Sequence, residues 1–277
     1  MVAHLQKTAL ITGACGGLGR AIAERFLQEG ANVVVCDIND DLIADFKAKV
    51  SAAYPECTLV LKVNVTDDAA LDDLFAQGEK VFGHIDYVVN NCGVMDNFEP
   101  VGPYHALCPQ IVDGRDMSRE MWDRVIAINL TAPAMVSKRA VTCMLKREGE
   151  GAKGSIVNIA SIAGLRGFAS EYQGAAYTVS KHGILGLTKN TGVFYGPKGI
   201  RCNAIMAGGM KTNIANHLAQ GKLNMEGYAA YSKTFPHEHS ITVEIDKVAK
   251  LVSYLCSEDA EIVNGACWTA DGGWTAN

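Results

Sequence analysis

No stretch of this chain approaches the roughly 18 uninterrupted apolar residues that a membrane span needs. Its opening, Met1-Val2-Ala3-His4-Leu5-Gln6-Lys7, has no signal-type hydrophobic core and runs directly into a strand-like segment. Equally missing is any block of basic residues. The net charge is −5 and the sequence pI about 5.8, so a nucleic-acid partner, which wants a clustered positive face, is disfavoured. Nine cysteines lie between Cys15 and Cys267 without one CxxC pair. An odd and unpatterned set argues against a disulfide framework or a zinc site, and for reduced, mostly buried thiols. Internal repeats, low-complexity tracts and linkers are absent as well. These absences leave a cytosolic, single-domain globular protein over residues 1–277, with 48% hydrophobic and 20% charged residues.

What is present is an alternation. Thr8–Thr12, Asn32–Asp37, Thr58–Val63, Tyr87–Asn90, Ser155–Ala160, Arg201–Met206 and Ala266–Ala270 are short apolar, β-branched runs. Nearly continuous apolar character is what strands covered on both faces require. Between them, Leu18–Glu29, Asp41–Val50, Asp67–Phe82, Arg119–Arg147, Ala175–Tyr195 and Glu244–Ser257 read as helices. The pattern predicts an α/β fold: one doubly wound, Rossmann-type domain with a mostly parallel seven-stranded sheet and helices on both faces. Two connections, 94–120 and 207–243, are far longer than the usual loops of about 2–6 residues. Both follow strands, which puts them outside the carboxyl ends of the sheet, where such folds bind ligands. They are expected to wall or cover a substrate pocket.

After the first strand comes Thr12-Gly13-Ala14-Cys15-Gly16-Gly17-Leu18-Gly19, opening the first helix. Glycines at 13, 17 and 19 permit a tight turn and close approach of backbone to a pyrophosphate, and the helix N-terminus adds N–H groups and positive dipole. The second strand ends at Asp37. A carboxylate there accepts hydrogen bonds from the adenosine ribose hydroxyls and repels a 2′-phosphate. No arginine or lysine lies between residues 36 and 46, so NAD(H) is expected over NADP(H).

Of the nine tyrosines, only Tyr177 has a lysine, Lys181, four residues on. On a helix that spacing puts phenol and ammonium on one face. A nearby cation favours the phenolate of a group that ordinarily titrates near pH ~10, as a general acid/base working near neutrality requires.

These pieces, with Asn90-Asn91-Cys92-Gly93, Ile128-Asn129-Leu130, Ile159-Ala160-Ser161 and Asp271-Gly272-Gly273 in order, resemble the short-chain dehydrogenase/reductase family from Lys7 to about Gly273. The resemblance implies a catalytic tetrad of Asn129, Ser161, Tyr177 and Lys181. Tyr177 would exchange a proton with the substrate oxygen, and Ser161 would orient that oxygen. Lys181 would hold the nicotinamide ribose and lower the Tyr177 pKa, while Asn129 would place a water in a relay to Lys181. Cofactor contacts would come from Gly13, Gly17, Leu18, Gly19, Asp37, Ile38, Asn64, Val65, Asn91, Gly93, Tyr177, Lys181, Met210 and Thr212. No catalytic metal is implied, since hydride chemistry belongs to the dinucleotide.

Three positions depart from the family pattern. Asn64 stands where Asp is common, Cys92 replaces the usual alanine, and Ala207-Gly208 replaces Pro-Gly, which frees the backbone on the nicotinamide side. The expected activity is hydride transfer between NAD(H) and a secondary alcohol/ketone pair by a homotetramer or homodimer. A 3-oxoacyl-thioester reductase and a non-catalytic dinucleotide-binding scaffold are the alternatives. His237-Glu238-His239 reads as solvated loop rather than a metal site. Phe168, Tyr172, Met206, Met210, Met225, Tyr228, Tyr231 and Phe235 are candidate pocket residues, with ordinary packing as the alternative.

Overall fold

The computed structural model describes residues 4–95, 118–147, 153–167, 174–212 and 242–276. In it the seven apolar runs become seven strands: β1 (Thr8–Thr12), β2 (Asn32–Asp37), β3 (Thr58–Lys62), β4 (Tyr87–Asn90), β5 (Gly154–Ile159), β6 (Ile200–Ala207) and β7 (Cys267–Ala270). They form one sheet in the order β3-β2-β1-β4-β5-β6-β7. Every ladder among the described residues is parallel, from Thr8↔Asn32 in the β1–β2 pair to Ala207↔Ala270 in the β6–β7 pair.

Alternation along each strand sends side chains to two cores. On one face Ile11, Val33, Val35, Val89 and Val157 meet Ile22 and Phe26 of α1 (Gly17–Gln28) and Val248, Val252 and Leu255 of α7 (Ile245–Cys256). On the other face Leu10, Val34, Val88 and Ile156 meet Leu71, Leu74 and Phe75 of α3 (Asp68–Phe82) and Val136, Ala140 and Met144 of α5 (Ala132–Leu145). Burying each large side chain contributes about 1.5–3 kcal/mol. Polar residues fix where helices start. Asn39 accepts the Leu42 N–H at the head of α2 (Asp40–Phe46), Asp67 those of Ala69 and Ala70 at α3, and Ser118 that of Met121 at α4 (Arg119–Ile126). Such caps are worth about 1 kcal/mol each.

Two predicted helices are interrupted by π turns. Arg119–Arg147 divides into α4, a π turn at Ala127–Thr131, and α5. The cause is in the sequence: Pro133 has no N–H to give to the Asn129 carbonyl four residues back, and its ring would clash there. An extra residue in the turn absorbs the conflict, and such π turns collect at functional sites. Asn129 sits at its centre. The Asp41–Val50 segment likewise passes from α2 into a π turn, Lys47–Ser51. The chain runs from β1 outward to β2 and β3, then crosses to β4 on the far side of β1. That reversal opens a crevice beyond the carboxyl ends of β1 and β4. Among the described residues no helix is long and apolar enough to cross a membrane.

Candidate active site

The crevice is floored by the glycine turn after β1, and each expected glycine there has a physical reason. Gly13 and Gly17 take positive φ, 60° and 52°, where a side chain is strained. At Gly19 a Cβ would lie 2.4 Å from the Gly13 carbonyl oxygen. The turn is braced from β4: Asn91 Nδ2 donates to the Thr12 and Gly13 carbonyls at 3.0 and 2.8 Å, and Thr12 Oγ1 accepts the N–H groups of Asn91 and Cys92 at 3.2 Å. Gly16, at the head of α1, offers no capping side chain. Among the described residues the first N–H groups of α1 thus have no side-chain cap, a cradle shaped for an anion. Leu18 is buried in the core on the α1 face of the sheet.

Asp37, at the end of β2, is bolted to that turn. One carboxylate oxygen accepts the Cys15 N–H at 3.1 Å, and the other accepts those of Ile38 and Asn39. The acid therefore stands beside the phosphate cradle at a fixed distance. Ile38 follows with 62% of its surface exposed, an apolar platform at the crevice rim. Lys62 lies opposite Asp37 in the β2–β3 register but pairs with Asp40 at 2.7 Å. Asn64 turns its side-chain carbonyl onto the Thr66 N–H and hydroxyl, at 3.1 and 2.9 Å, while Val65 is buried in the core. Burial pushes the Cys15 thiol up to about 12 and the Cys92 thiol up to about 11, with the Asp37 carboxylate adding to both.

The four tetrad candidates come from three segments that meet over β4 and β5. Tyr177 and Lys181 lie on α6 (Ala175–Tyr195), both buried. Lys181 Nζ donates to the Ile159 carbonyl at 3.0 Å and sits 5.4 Å from the centre of the Tyr177 ring. Burial brings its pKa down to about 8, because a desolvated ammonium is costly. Ser161 follows β5 and caps a short 3-10 turn, its Oγ accepting the Ala163 N–H at 3.2 Å. From the π turn, Asn129 reaches Val94, accepting its N–H at 2.9 Å and donating to its carbonyl at 2.8 Å. Gly93 lies between Asn129 and Lys181: a Cβ there would be 3.5 Å from Asn129 Oδ1 and 3.7 Å from Lys181 Nζ.

Several residues at this centre carried no sequence signal. Val125, Ile162, Ala163, Ala176 and Trp274 form an apolar cluster with Tyr177, and Val94, Met95 and Trp122 pack against it. Trp274 is delivered by the Asp271-Gly272-Gly273 turn. Burial works against the Asp271 carboxylate, yet hydrogen bonds from Thr275 and Gly273 outweigh it and hold its pKa below the usual range. Both glycines have positive φ, 66° and 89°.

The Ala207-Gly208 departure is accommodated. Ala207 extends β6 by pairing with Ala270, and Gly208 donates to the Ala270 carbonyl at 3.0 Å. A Cβ on Gly208 would meet Asp271 Cα at 2.9 Å. Beyond it Thr212 donates its N–H to the Met210 carbonyl, and Met210 packs on the α1 face of the sheet. Most of 94–120 and 207–243, with Phe168, Tyr172, Met225, Tyr228, Tyr231, Phe235 and His237-Glu238-His239, lies outside the described residues.

The chain is similar to known proteins along nearly its whole length. The family model described as Enoyl-(Acyl carrier protein) reductase matches residues 13–275. The chain is 40% identical to the Short chain dehydrogenase/reductase dpchG of Colletotrichum higginsianum, over 98% of this chain and 94% of the relative. It is 33% identical to 3beta-hydroxysteroid dehydrogenase 2 of Eggerthella lenta, over 98% and 95%. Among solved structures, that of levodione reductase superposes with a TM-score of 0.81 at 30% identity, covering 98% of both chains.

Proposed function

The chain belongs to the short-chain dehydrogenase/reductase family, and on that premise we propose that it interconverts a secondary alcohol and its ketone using NAD(H), with Tyr177 as the proton-exchanging group. The reading is carried by Lys181: a buried lysine whose ammonium lies 5.4 Å from the Tyr177 ring and titrates close to neutrality, at about 8. A purely structural lysine has no reason to be desolvated beside a phenol.

The crevice fits a nicotinamide dinucleotide, since a Cβ would fill the cradle at Gly19 and the head of α1 lacks a cap of its own. Gly13, Gly17, Leu18 and Gly19 would hold the pyrophosphate, Asp37 the adenosine ribose, and Ile38, Asn64 and Val65 the adenine. Asn91, Gly93, Met210 and Thr212 would border the nicotinamide half. The bound dinucleotide supplies the hydride carrier. The chain's own groups do the rest. In reduction the Tyr177 hydroxyl gives its proton to the substrate oxygen, and in oxidation the phenolate takes it back. The Ser161 hydroxyl bonds the same oxygen and fixes its orientation. Lys181 favours the phenolate by its charge and holds the nicotinamide ribose. The amide of Asn129 is committed to Val94, so a water of the implied relay falls to its main-chain carbonyl, to which Pro133 returns no N–H. Val125, Ile162 and Trp274 keep bulk water from the phenol and strengthen the local field.

The apolar surroundings of Tyr177, together with the name of the Eggerthella lenta relative, support a bulky, mainly hydrocarbon alcohol such as a hydroxysteroid. Asp37 supports NAD(H) over NADP(H). The exposed Val193 and Phe194 on α6 support a homotetramer or homodimer, which a monomer-sized mass in light scattering would refute. The buried thiols support a reducing, cytosolic setting. The test is Tyr177→Phe assayed with a panel of cyclic secondary alcohols. kcat is expected to fall about 10³-fold while the NADH dissociation constant stays within about threefold. A variant that keeps most of the wild-type kcat removes Tyr177 from the role. NADPH-dependent turnover of a 3-oxoacyl thioester in place of the alcohols would substitute a different substrate class.

A further inference from the structure

Ser180, between Tyr177 and Lys181, is fully buried. Its hydroxyl donates to the Tyr177 carbonyl at 2.7 Å and accepts from Asn129 Nδ2 at 3.3 Å. The direction of this chain of bonds is determined by chemistry. Asn129 must turn its carbonyl to the Val94 N–H and its NH₂ to the Val94 carbonyl, and the opposite amide orientation would set donor against donor and acceptor against acceptor. The second Asn129 N–H then faces Ser180, whose single proton goes to the Tyr177 carbonyl. One uninterrupted path therefore runs from the Val94 backbone through the Asn129 amide and the Ser180 hydroxyl to the main chain of Tyr177.

That path meets α6 in its first turn, beside the apolar cluster that holds Ala176 and Tyr177. Tyr177 lies in the first turn of the helix, and Gly174 at the N-cap supplies no side-chain hydrogen bond. A serine bonding back three residues shifts the local backbone, and here the shift is tied to a neighbouring segment. Lys181, one position on, is anchored separately through the Ile159 carbonyl. The two anchors attach the helix to different supports: Lys181 to the end of β5, and the Tyr177 turn to the π turn that carries Asn129.

We propose that Ser180 is a positioning residue. Its hydroxyl sets the Tyr177 turn against Asn129 and so fixes where the phenol stands relative to Lys181 and the substrate oxygen. This rests on Tyr177 being the proton-exchanging group. Ser180 touches neither substrate nor dinucleotide in this role, and its effect passes through the tyrosine. A displacement of about 1 Å at a reacting group can cost up to about 100-fold in rate.

The experiment compares Ser180→Ala and Ser180→Cys with wild type, alone and combined with Asn129→Ala, using full-length protein and a secondary alcohol that it turns over. Ser180→Ala is expected to lower kcat about tenfold with the KM for NAD within twofold. It should also raise the midpoint of the acid-side limb, on which alcohol oxidation rises with pH, by about half a pH unit, because the phenol moves away from its cation. Ser180→Cys, with a weaker donor of similar shape, should fall between the two. On the Asn129→Ala background, where the path is already cut, Ser180→Ala should change kcat by less than twofold. An unchanged kcat and pH midpoint in Ser180→Ala overturn the proposal, as do fully additive losses in the double variant. A kcat loss that merely follows lost NAD binding or lost folded protein, with the pH midpoint unmoved, overturns it too. Should the alanine variant fail to fold, Ser180→Cys carries the same readouts. Tyr177→Phe run alongside separates the two levels: an inactive phenylalanine variant with a wild-type alanine variant sinks only Ser180, whereas an active phenylalanine variant sinks the reading beneath it.

Discussion

Two buried clusters at opposite ends of the strands are made from similar side chains: a phenol, a base and a serine. At the amino end of β4, His4 lies between the Tyr87 hydroxyl at 3.4 Å and Ser253 Oγ at 3.0 Å, and Ser253 donates in turn to Glu29. At the carboxyl end of β5, Lys181 is held by the Ile159 carbonyl, Ser180 by that of Tyr177, and Asn129 by Val94. In the first cluster side chains satisfy one another. In the second they are fastened chiefly to main chain. Burial also drives the two toward different ends. It lowers His4 below its ordinary 6.5 and raises Tyr87 above its ordinary 10, so both are neutral and inert at pH 7. The same desolvation leaves Lys181 at about 8, where proton gain and loss are both accessible. A Ser–His–Glu set at 3.0–3.6 Å spacing is here a brace, and a lysine with a carbonyl partner is the better catalytic candidate.

The sharpest way to break this contrast is a pair of substitutions. Lys181→Met should lower kcat by about 10³-fold. It should leave thermal stability nearly unchanged, because relief of a desolvated ammonium offsets the donor lost to Ile159. His4→Ala should leave kcat within twofold and cost about 2–4 kcal/mol of stability, from a cavity plus hydroxyls deprived of a partner. Steady-state kinetics and denaturant unfolding of both variants decide it. Crossed phenotypes would mean that the brace and the machinery have been assigned the wrong way round.

The contrast also marks what the sequence made legible. Strands and most helices were readable to within a residue or two, because apolar β-branched runs and a 3.6-residue period are local signals. The glycine turn was readable for the same reason. Tyr177 and Lys181 could be paired from helical spacing, whereas Asn129 and Ser161 entered through the family resemblance. The π turn was missed even though Pro133 announces it. A long apolar period masks a single missing N–H. Ser180, Val94 and Trp274 were not legible, since what makes them matter is contact among segments near 94, 129, 180 and 274, which no local period records. His4 was equally silent, because its partners at 29, 87 and 253 are brought together only by the finished sheet.

A smaller effect tests a charge that acts outward on a ligand instead of inward on neighbours. Asp37→Asn keeps the shape of the side chain at the end of β2 and removes its repulsion. The ratio of kcat/KM for NAD to that for NADP is expected to fall about tenfold or more. Lys62, opposite Asp37 in register but paired with Asp40, is then the nearest basic side chain on the adjoining strand to meet a 2′-phosphate. An unchanged ratio, or a wild-type protein that already prefers NADPH, would show that Asp37 serves only to hold Cys15 and the glycine turn.

The smallest expected effect lies at the brace and depends on pH. The His4 ring faces Glu29, whose charge favours protonation, and Arg25 and Lys7, whose charges oppose it, but burial is the largest influence and the net shift is downward. Between the depressed folded value and the ordinary 6.5, the unfolded chain binds more proton than the folded one. Stability therefore rises with pH across that window and is fully present above it. On acidification the loss begins as pH drops below about 6.5, the unfolded value, and continues until the folded ring itself protonates. Because Ser253 gives its proton to Glu29, His4 Nε2 is the donor to Ser253 and Nδ1 the acceptor from Tyr87, so protonation would turn Nδ1 into a donor and break the bond that holds the ring to β4. Urea midpoints measured from pH 7.5 to 5.5 should fall for wild type and fall less for His4→Gln, which offers an amide in place of the ring and cannot titrate. Equal slopes for the two proteins would assign the acid sensitivity to carboxylates elsewhere, and His4 would then be a packing residue whose protonation the fold does not feel.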